Sequence, residues 1–300
     1  MFSSPLSRNL VLTTIHRIES PALEPFFRSL RGNGFNGEIV VFGSALSGDT
    51  VGQLERWGSR VISFRFPGGH VVNRAAGLWW VWRRLFASGL SEPAKERLAH
   101  AVFHLFYRRH LLYLDFLRKH ASSYDAVFLT DSRDVFFQAD PFSWDAAPGL
   151  HVFLEEESNK IGQCPHNGRW IRSLFGEKAL QSLASKTVSC AGTVFGDVPG
   201  MMDYLRQMVH TAMQVRSMRD ADGDQGIHNY LVRTGGLGQI EIHPNRCGPV
   251  MTLGPVKMAT LRQNSRGFVI DELDRIVPTL HQYDRIPELR AALLSSLAAF

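Results

Sequence analysis

Apolar segments with two different spacings alternate along the first half of the chain. Short runs rich in β-branched residues predict strands at 9–15, 38–43 and 60–66. The segments between them, at 21–30 and 51–58, have the spacing of short helices. Strands that alternate with helices are typical of an α/β fold with a mostly parallel sheet flanked by helices, and its ligand site lies at the carboxyl ends of the strands.

A long helix and a buried strand are predicted next. Residues 94–120 contain no glycine or proline and repeat apolar side chains at helical intervals, which predicts one extended helix. The run YDAVFLT at 124–130 predicts a buried strand, which ends directly before Asp131-Ser132-Arg133-Asp134. A chain of 300 residues is expected to form one large domain or two closely packed halves, and we expect a single domain over residues 1–300. The later predicted elements are strands at 151–155 and 193–195 and helices at 171–184 and 201–213.

The acidic pair after the buried strand is the most informative feature of the sequence. Two carboxylates side by side at the end of a buried strand raise each other's pKa unless a cation or a hydrogen-bond donor neutralises them. A Mg²⁺ or Mn²⁺ ion held by Asp131 and Asp134 would supply that charge and would connect the protein to a diphosphate. The alternative is structural, because two acidic residues can also cap a turn or form an ion pair with Arg133.

The stretch YDAVFLTDSRDVFFQADPF resembles the acidic signature of the GT-A fold glycosyltransferases, which follows a buried strand and is usually written D-x-D. The pair in this chain is one residue wider, with Ser132 and Arg133 between the two aspartates. If Asp134 corresponds to the second, metal-binding Asp of the family, Ser132 takes the first position. Asp131 then reaches either the ribose or the metal. The resemblance extends from about residue 9 to residue 284.

Other segments are similar to GT-A enzymes in their order and separation. The resemblance implies that Thr13 and Thr14, at the end of the first strand, contact the nucleotide. It also implies that the small-residue turn Ser189-Cys-Ala-Gly192 lines the donor sugar, with Ala191 and Gly192 allowing the backbone to approach the ligand closely.

The same resemblance implies catalytic and metal-binding roles further along the chain. Asp224 and Gln225 are similar to the acidic D-Q motif that faces the reacting sugar, where Asp224 would act as a base or stabilise charge. His281 would complete the site of Mn²⁺ or Mg²⁺ with Asp131 and Asp134, although a histidine here is also compatible with a purely structural role. The residues expected to be catalytic are Asp224, Gln225 and Asp134.

Two arginines are candidates for binding the departing diphosphate, because a guanidinium matches phosphate oxygens with two hydrogen bonds. Arg109 lies in the long predicted helix, where a solvated helix face is the alternative, and Arg133 lies between the two aspartates. The residues expected to bind the nucleotide-sugar are Thr13, Thr14, Arg109, Asp131, Ser132, Arg133, Ala191 and Gly192.

Composition limits the partners and the compartment. The 33 basic and 28 acidic residues give a formal charge of +5 but form no long basic run, so an anionic small molecule is favoured and nucleic acid is not expected. The three cysteines form no C-x-x-C pair, which favours free thiols in a reducing compartment. No apolar run reaches the ~20 residues that span a bilayer. We therefore expect a cytoplasmic protein, with any membrane contact at the inner surface.

Two segments allow alternative interpretations. The tryptophans and arginines of 78–85 (LWWVWRRL) are typical of a segment at an anionic membrane surface, but they also fit buried aromatic packing, which we favour. An exposed segment would favour a lipid-linked acceptor. The acidic triplet at 155–157 fits either an acceptor sugar contact or a solvated loop.

The sequence therefore predicts a glycosyltransferase, in particular a hexosyltransferase, that moves a sugar from UDP- or GDP-sugar to a glycan, glycolipid or protein. Residues 1–135 would form its nucleotide-binding half and 136–300 its half for the donor sugar and the acceptor. One alternative is a sugar nucleotidyltransferase, which would normally carry a Gly-rich basic loop after the first strand, unlike residues 13–17 (TTIHR). The other is a non-catalytic binding module of the same fold.

Overall fold

β-Branched and aromatic runs form the strands of two sheets. The computed structural model describes residues 8–66, 76–220 and 223–297. Within these residues the strands are β1 (Asn9–His16), β2 (Glu38–Ser44), β3 (Ser59–Ser63), β4 (Ala126–Thr130), β5 (Val135–Phe137), β6 (Leu150–Leu154), β7 (Ser189–Asp197), β8 (Ile240–His243), β9 (Val250–Thr252) and β10 (Thr279–His281).

Helices with one apolar face connect and cover these strands. They begin with typical signals, such as the Ser47 side chain that accepts a hydrogen bond from the Thr50 amide. In chain order they are α1 (Ser20–Gly32), α2 (Gly48–Arg56), α3 (Trp79–Phe86), α4 (Glu92–Val102), α5 (Leu105–His120), α6 (Pro165–Phe175), α7 (Glu177–Leu183), α8 (Val198–Gln214), α9 (Asp224–Thr234) and α10 (Pro287–Ser296).

The larger sheet has seven strands in the order β3-β2-β1-β4-β7-β6-β8. All its strands are parallel except β7, which pairs antiparallel with both β4 and β6. The expected α/β architecture with a mostly parallel sheet flanked by helices is therefore confirmed, in one compact domain. The smaller sheet, in the order β5-β10-β9, lies beyond the carboxyl end of β4.

Alternating side chains of the central strands separate two hydrophobic cores. Leu10 and Leu12 of β1 belong to one core, together with buried residues of α5 and α8. Val11 of β1 belongs to the other core, on the opposite face, together with buried residues of α1. This period of two is the pattern of a sheet that is covered on both faces.

Two predicted helices are each divided in the structure. The prediction of one helix over 94–120 is wrong, because Phe103 and His104 have extended backbone between α4 and α5. Phe103 is fully buried there, with its ring near those of Trp79 and Tyr107, so tertiary packing outweighs local helix propensity. The prediction of one helix over 171–184 is also wrong, because Gly176 has a φ of +94° and separates α6 from α7.

The tryptophan segment is partly buried and partly exposed. Trp79 is buried, and its indole N–H donates to the Val215 carbonyl at 2.8 Å, as expected for aromatic packing. Trp80 on the other side of α3 is 62% exposed, and Leu78 is 51% exposed. In the part of the chain that the structure describes, no helix combines the length and the apolar character needed to cross a membrane.

Candidate active site

The segment Asp131-Ser132-Arg133-Asp134, here called the acidic junction, lies where the connections of the sheet run in opposite directions from β1. From β1 the chain runs outward through β2 and β3, and it then returns to β4 on the other side of β1. A crevice forms at the carboxyl ends of strands at such a switch point. Asp131 follows β4 directly, and its amide donates to the Gly192 carbonyl at 2.9 Å, which extends the pairing of β4 with β7.

A short antiparallel pairing brings His281 to the same place. β10 pairs with β5 so that His281 is opposite Val135, and the Gln282 amide donates to the Asp134 carbonyl at 2.6 Å. His281 Nε2 lies 3.9 Å from Asp131 Oδ2 and 3.8 Å from Asp134 Oδ1. One side-chain atom from each of the three residues lies within 4.8 Å of the others. The three predicted metal ligands therefore converge.

The His281 ring is held in one orientation. It is 1% exposed, and its Nδ1 lies 3.3 Å from Cys190 Sγ. Its Nε2 is buried and has no hydrogen-bond partner among the described residues. Burial disfavours the imidazolium, but Cys190 and then the two aspartates favour it and raise its pKa to about 10. A buried nitrogen that faces two carboxylates without a bond of its own fits a metal ligand.

The charge of the junction also favours a cation. Burial raises the pKa of Asp134 above its ordinary value, and the neighbouring Asp131 raises it further, while His281 and Arg133 act in the opposite direction. A carboxyl group in this environment ionises more readily when a positive charge is bound beside it. The acidic pair and His281 therefore fit a divalent ion, and the ligand set of carboxylates and one imidazole is compatible with Mn²⁺ or Mg²⁺.

Gly192 leaves the space between the candidate metal ligands free. A Cβ atom at this position would lie 2.7 Å from Asp131 Oδ2 and 2.9 Å from His281 Nε2. Real Cβ atoms do not approach other heavy atoms this closely. The glycine is therefore required for the geometry of the site, in addition to the close approach of a ligand that the sequence suggests.

Arg109 connects two carboxylates on different elements. Its Nη1 donates to Asp131 Oδ1 at 2.8 Å, and its Nη2 donates to Asp224 Oδ2 at 2.7 Å. The side chain is only 12% exposed, so the alternative of a solvated helix face is wrong. Burial alone would lower the pKa of Arg109, but Asp224 and Asp131 outweigh it and raise the pKa above its ordinary value.

Asp224 and Gln225 begin α9 and have different surroundings. The Asp224 side chain is buried at the helix N-terminus, where a negative charge is stabilised. The Gln225 amide accepts from the Ala191 N–H at 2.7 Å and donates to the Ser189 carbonyl at 2.8 Å. Gln225 therefore positions the start of β7, whose Gly192 lies beside the candidate metal ligands Asp131 and His281.

A cavity of about 600 Å³ opens beside these residues. It is large enough for part of a nucleotide-sugar, since small-molecule pockets usually measure ~300–1,000 Å³. Of the residues predicted from the sequence, those lining it are Arg109, Asp131, Ala191, Gly192, Asp224, Gln225 and His281.

Five predicted residues do not line this cavity, namely Thr13, Thr14, Ser132, Arg133 and the buried Asp134. Thr13 is fully buried inside the sheet, because β1 continues past it to His16. Thr14 is half-buried, and its hydroxyl donates to the Tyr113 hydroxyl at 2.8 Å. Ser132 is buried. The structure thus gives Thr13 a packing role and Thr14 a hydrogen bond within β1, and it brings neither residue to the cavity.

Arg133 is directed away from the cavity. Its side chain is 54% exposed, and its Nη2 lies 3.6 Å from Asp284 and 3.8 Å from Asp134. It lines a second cavity of about 560 Å³ beside α1 and α10. The ion pair with Asp134 that we considered as a structural alternative is therefore present as a long contact. It involves Asp134 Oδ2, whereas Oδ1 is the oxygen near His281.

Sequence reasoning missed several residues of the site. Cys190 is the partner of His281 Nδ1, and no sequence pattern connects residues 91 positions apart. Phe106 also lines the cavity, one helical turn before Arg109. The Cζ atom of Arg109 lies 5.5 Å from the centroid of the Phe106 ring. This i, i+3 spacing is a signal that could have been used. The acidic triplet, by contrast, was one of the alternatives read from the sequence: Glu155 lines the cavity, whereas Glu156 bonds Asn245 and Arg246, so only the first residue of the triplet fits a sugar contact.

A scan of the chain against models of protein families found no match, and a search of curated proteins found no significant similarity. The likeness to GT-A enzymes therefore depends on the motif residues of the sequence, and the GT-A assignment stays a prediction.

Proposed function

We propose that the chain is a metal-dependent glycosyltransferase of the GT-A type that uses UDP- or GDP-sugar as donor. The observation that carries the proposal is the convergence of Asp131, Asp134 and the unpartnered Nε2 of His281 beside a cavity, among the described residues at the carboxyl end of β4. Mn²⁺ fits this ligand set best, because it binds carboxylates and also accepts imidazole.

The protein's own residues prepare the ligands for the ion. Cys190 fixes the His281 ring, and Arg109 occupies Asp131 Oδ1, so that Oδ2 faces His281. When it is bound, the divalent ion supplies positive charge for the departing nucleoside diphosphate. The burial of these groups strengthens their interactions, because the local dielectric constant is lower than in water.

Asp224 supplies the carboxylate on the acceptor side of the proposed reaction. It lines the same cavity as Asp131, and Arg109 fixes its orientation. It is placed to accept the proton of an acceptor hydroxyl or to stabilise positive charge that develops on the donor sugar. Glu155, a half-buried carboxyl that also lines the cavity, has a pKa raised by partial burial and would bind a sugar hydroxyl.

Donor hydrolysis tests this proposal without knowledge of the acceptor. The full chain is incubated with UDP- and GDP-sugars with and without Mn²⁺, and release of the nucleoside diphosphate is measured. We expect slow hydrolysis that requires Mn²⁺ and falls at least about a hundredfold in Asp131→Asn and Asp134→Asn. Asp125→Asn is the matched control, because this exposed aspartate precedes the same strand at its opposite end.

The two alternative functions give different results in related assays. A sugar nucleotidyltransferase would release pyrophosphate from a nucleoside triphosphate and a sugar 1-phosphate. A binding module would bind the donor, as a thermal shift with Mn²⁺ reports, but would leave it intact. Either result, or full hydrolysis by both aspartate variants, would refute the assignment of a transferase to this site.

A lipid-linked acceptor is the acceptor class that the surface favours. Leu78, Trp80 and Leu85 are exposed on or beside α3, and Arg83 and Arg84 are exposed on the same helix. Exposed tryptophan and leucine next to arginine are typical of a helix that binds an anionic lipid surface. We therefore propose that α3 brings the enzyme to such a surface.

A further inference from the structure

A second group of metal-binding side chains lies on the sheet, at the edge formed by β8. His151 of β6 pairs with Glu241 of β8, and Phe153 pairs with His243. Because side chains alternate along a strand, His151, Glu241 and His243 all project from the same face. His151 is 1% exposed and His243 is 9% exposed, whereas the Glu241 side chain lies at the surface.

The three side chains are separated by distances that suit one ion. His151 Nδ1 lies 3.0 Å from His243 Nε2 and 3.5 Å from Glu241 Oε2, and His243 Nε2 lies 3.8 Å from Glu241 Oε1. Ligands about 2.0–2.1 Å from a tetrahedral Zn²⁺ ion are separated from each other by about 3.3–3.4 Å. The observed separations differ from this value by less than about half an ångström, so small side-chain rotations suffice to bind the ion.

The protonation of His151 is fixed by a backbone group. His151 Nε2 lies 2.7 Å from the Ala147 carbonyl, which can only accept a hydrogen bond. The ring proton therefore resides on Nε2, and the lone pair of Nδ1 is directed at His243 and Glu241. Metal-ligating histidines commonly donate their other N–H to a backbone carbonyl in this way. Trp144 makes T-shaped contacts with both imidazole rings, and these contacts restrict their rotation.

We propose that His151, Glu241 and His243 form a second metal site, which binds Zn²⁺. Two imidazoles and one carboxylate are a typical zinc ligand set, whereas Mg²⁺ prefers oxygen ligands alone. The site is therefore chemically distinct from the pair of aspartates with His281.

The fourth coordination position of this ion would be directed at a separate cavity. Glu241 and His243 line a cavity of about 510 Å³ together with Trp144 and Cys247, while His151 lies beneath them. Three protein ligands with one open position are typical of zinc sites that bind water or an anionic ligand. The ion would also tie the edge strand β8 to β6 and, through Ala147, to the segment that precedes β6.

The competing interpretation is a direct hydrogen bond from His243 Nε2 to His151 Nδ1, with Glu241 outside it. The two interpretations differ in metal binding. Metal-free full chain would be titrated with Co²⁺, whose visible absorption reports tetrahedral coordination, and Zn²⁺ would then be added in competition. The titrations are carried out in Asp134→Asn, so that the aspartate site does not contribute.

We expect one equivalent of Co²⁺ with a tetrahedral spectrum, displaced by Zn²⁺. Glu241→Gln and His243→Gln should each weaken Zn²⁺ binding at least about tenfold. The exposed His210, which bonds Gln214 on α8, provides the matched control His210→Gln, which should bind as before. Glu241 lies at the surface, so its variant stays folded and informative even if His243→Gln does not. Absence of tetrahedral Co²⁺, or unchanged affinity in Glu241→Gln, would overturn the proposal.

Discussion

Gly192→Ala tests the metal site with the smallest change that the chain offers. The added methyl carbon would lie 2.7 Å from Asp131 Oδ2, 2.7 Å from His281 Cε1 and 2.9 Å from His281 Nε2. Ordinary van der Waals contacts begin at 3.4 Å. The Asp131 and His281 side chains must therefore each move away from the added methyl group by roughly 0.7 Å. Metal sites tolerate deviations of only about 0.2 Å in their ligand distances.

We therefore expect Mn²⁺ affinity to fall about 10–100-fold in this variant, the range found when the support of a metal ligand is disturbed. Overpacking in a buried site should also cost about 1–3 kcal/mol of the free energy of unfolding. Mn²⁺ binding is measured by isothermal titration and stability by chemical denaturation of the metal-free protein. Gly48→Ala is the matched control, because a methyl group there would meet no atom within 4 Å.

The two measurements have separate meanings. If Gly192→Ala binds Mn²⁺ as tightly as the wild type, the ion does not lie between Asp131 and His281, and the ligand assignment is refuted. If the wild type binds no Mn²⁺ at all, the site is structural. A loss of stability without a loss of affinity would show that the methyl group overpacks β7 away from the ion, and it would refute the ligand assignment as well.

Three further predictions concern other parts of the molecule. Arg109→Ala should lower the free energy of unfolding by about 3–5 kcal/mol, because it removes the guanidinium partner of the buried Asp224; chemical denaturation measures this, and a loss below 1 kcal/mol would contradict it. His228 is fully buried, and burial, with smaller contributions from Arg109 and Arg233, lowers its pKa from 6.5 to about 3. Between these two pH values the unfolded chain binds a proton at His228 that the folded chain does not bind. The free energy of unfolding is therefore at its full value above pH 6.5, and it falls by up to about 1.4 kcal/mol per pH unit as the pH decreases towards 3. Denaturation of the wild type and of His228→Gln between pH 7 and pH 4 should show a shallower slope for the variant, and equal slopes would exclude His228 as the cause. Trp80→Ser should reduce sedimentation with anionic vesicles, whereas binding unchanged by this substitution would exclude α3 as the membrane contact.

Local sequence patterns predict those elements of the fold whose character depends on residues adjacent in the sequence. The β-branched runs of β1, β2 and β4 are buried on both faces, so their apolar character identifies them without knowledge of the fold. The acidic junction followed from the position of β4 alone. The break at Phe103 was not predictable in this way, because it depends on aromatic partners from α3 and α5.

The sequence predicts only some of the site residues, because the others are brought together by contacts between elements that are distant along the chain. Thr13 and Thr14 were placed at a strand end, but β1 continues to His16, so the strand is longer than its apolar core suggests. The group of His151 and His243 has no sequence signal, because it depends on the pairing of β6 with a strand 90 residues further along. Pairings between distant strands are fixed by the whole fold, and single-sequence patterns do not contain them.

Arg109 connects Asp224 by hydrogen bonds to only one of the two aspartates of the acidic junction, Asp131. The Arg109 guanidinium donates hydrogen bonds to both Asp131 Oδ1 and Asp224 Oδ2. Among the described residues, no hydrogen bond joins Arg109 to Asp134. Replacing Asp131 therefore alters the charge and position of the group that holds Asp224, while replacing Asp134 removes a metal ligand without this effect. A double-mutant cycle on donor hydrolysis should show a coupling of about 0.5–3 kcal/mol between Asp131→Asn and Asp224→Asn. The cycle of Asp134→Asn with Asp224→Asn should be closer to additive, since no shared hydrogen-bond donor connects these residues. Equal coupling in both cycles would show that the ion itself, rather than Arg109, connects the donor side of the cavity to the acceptor side.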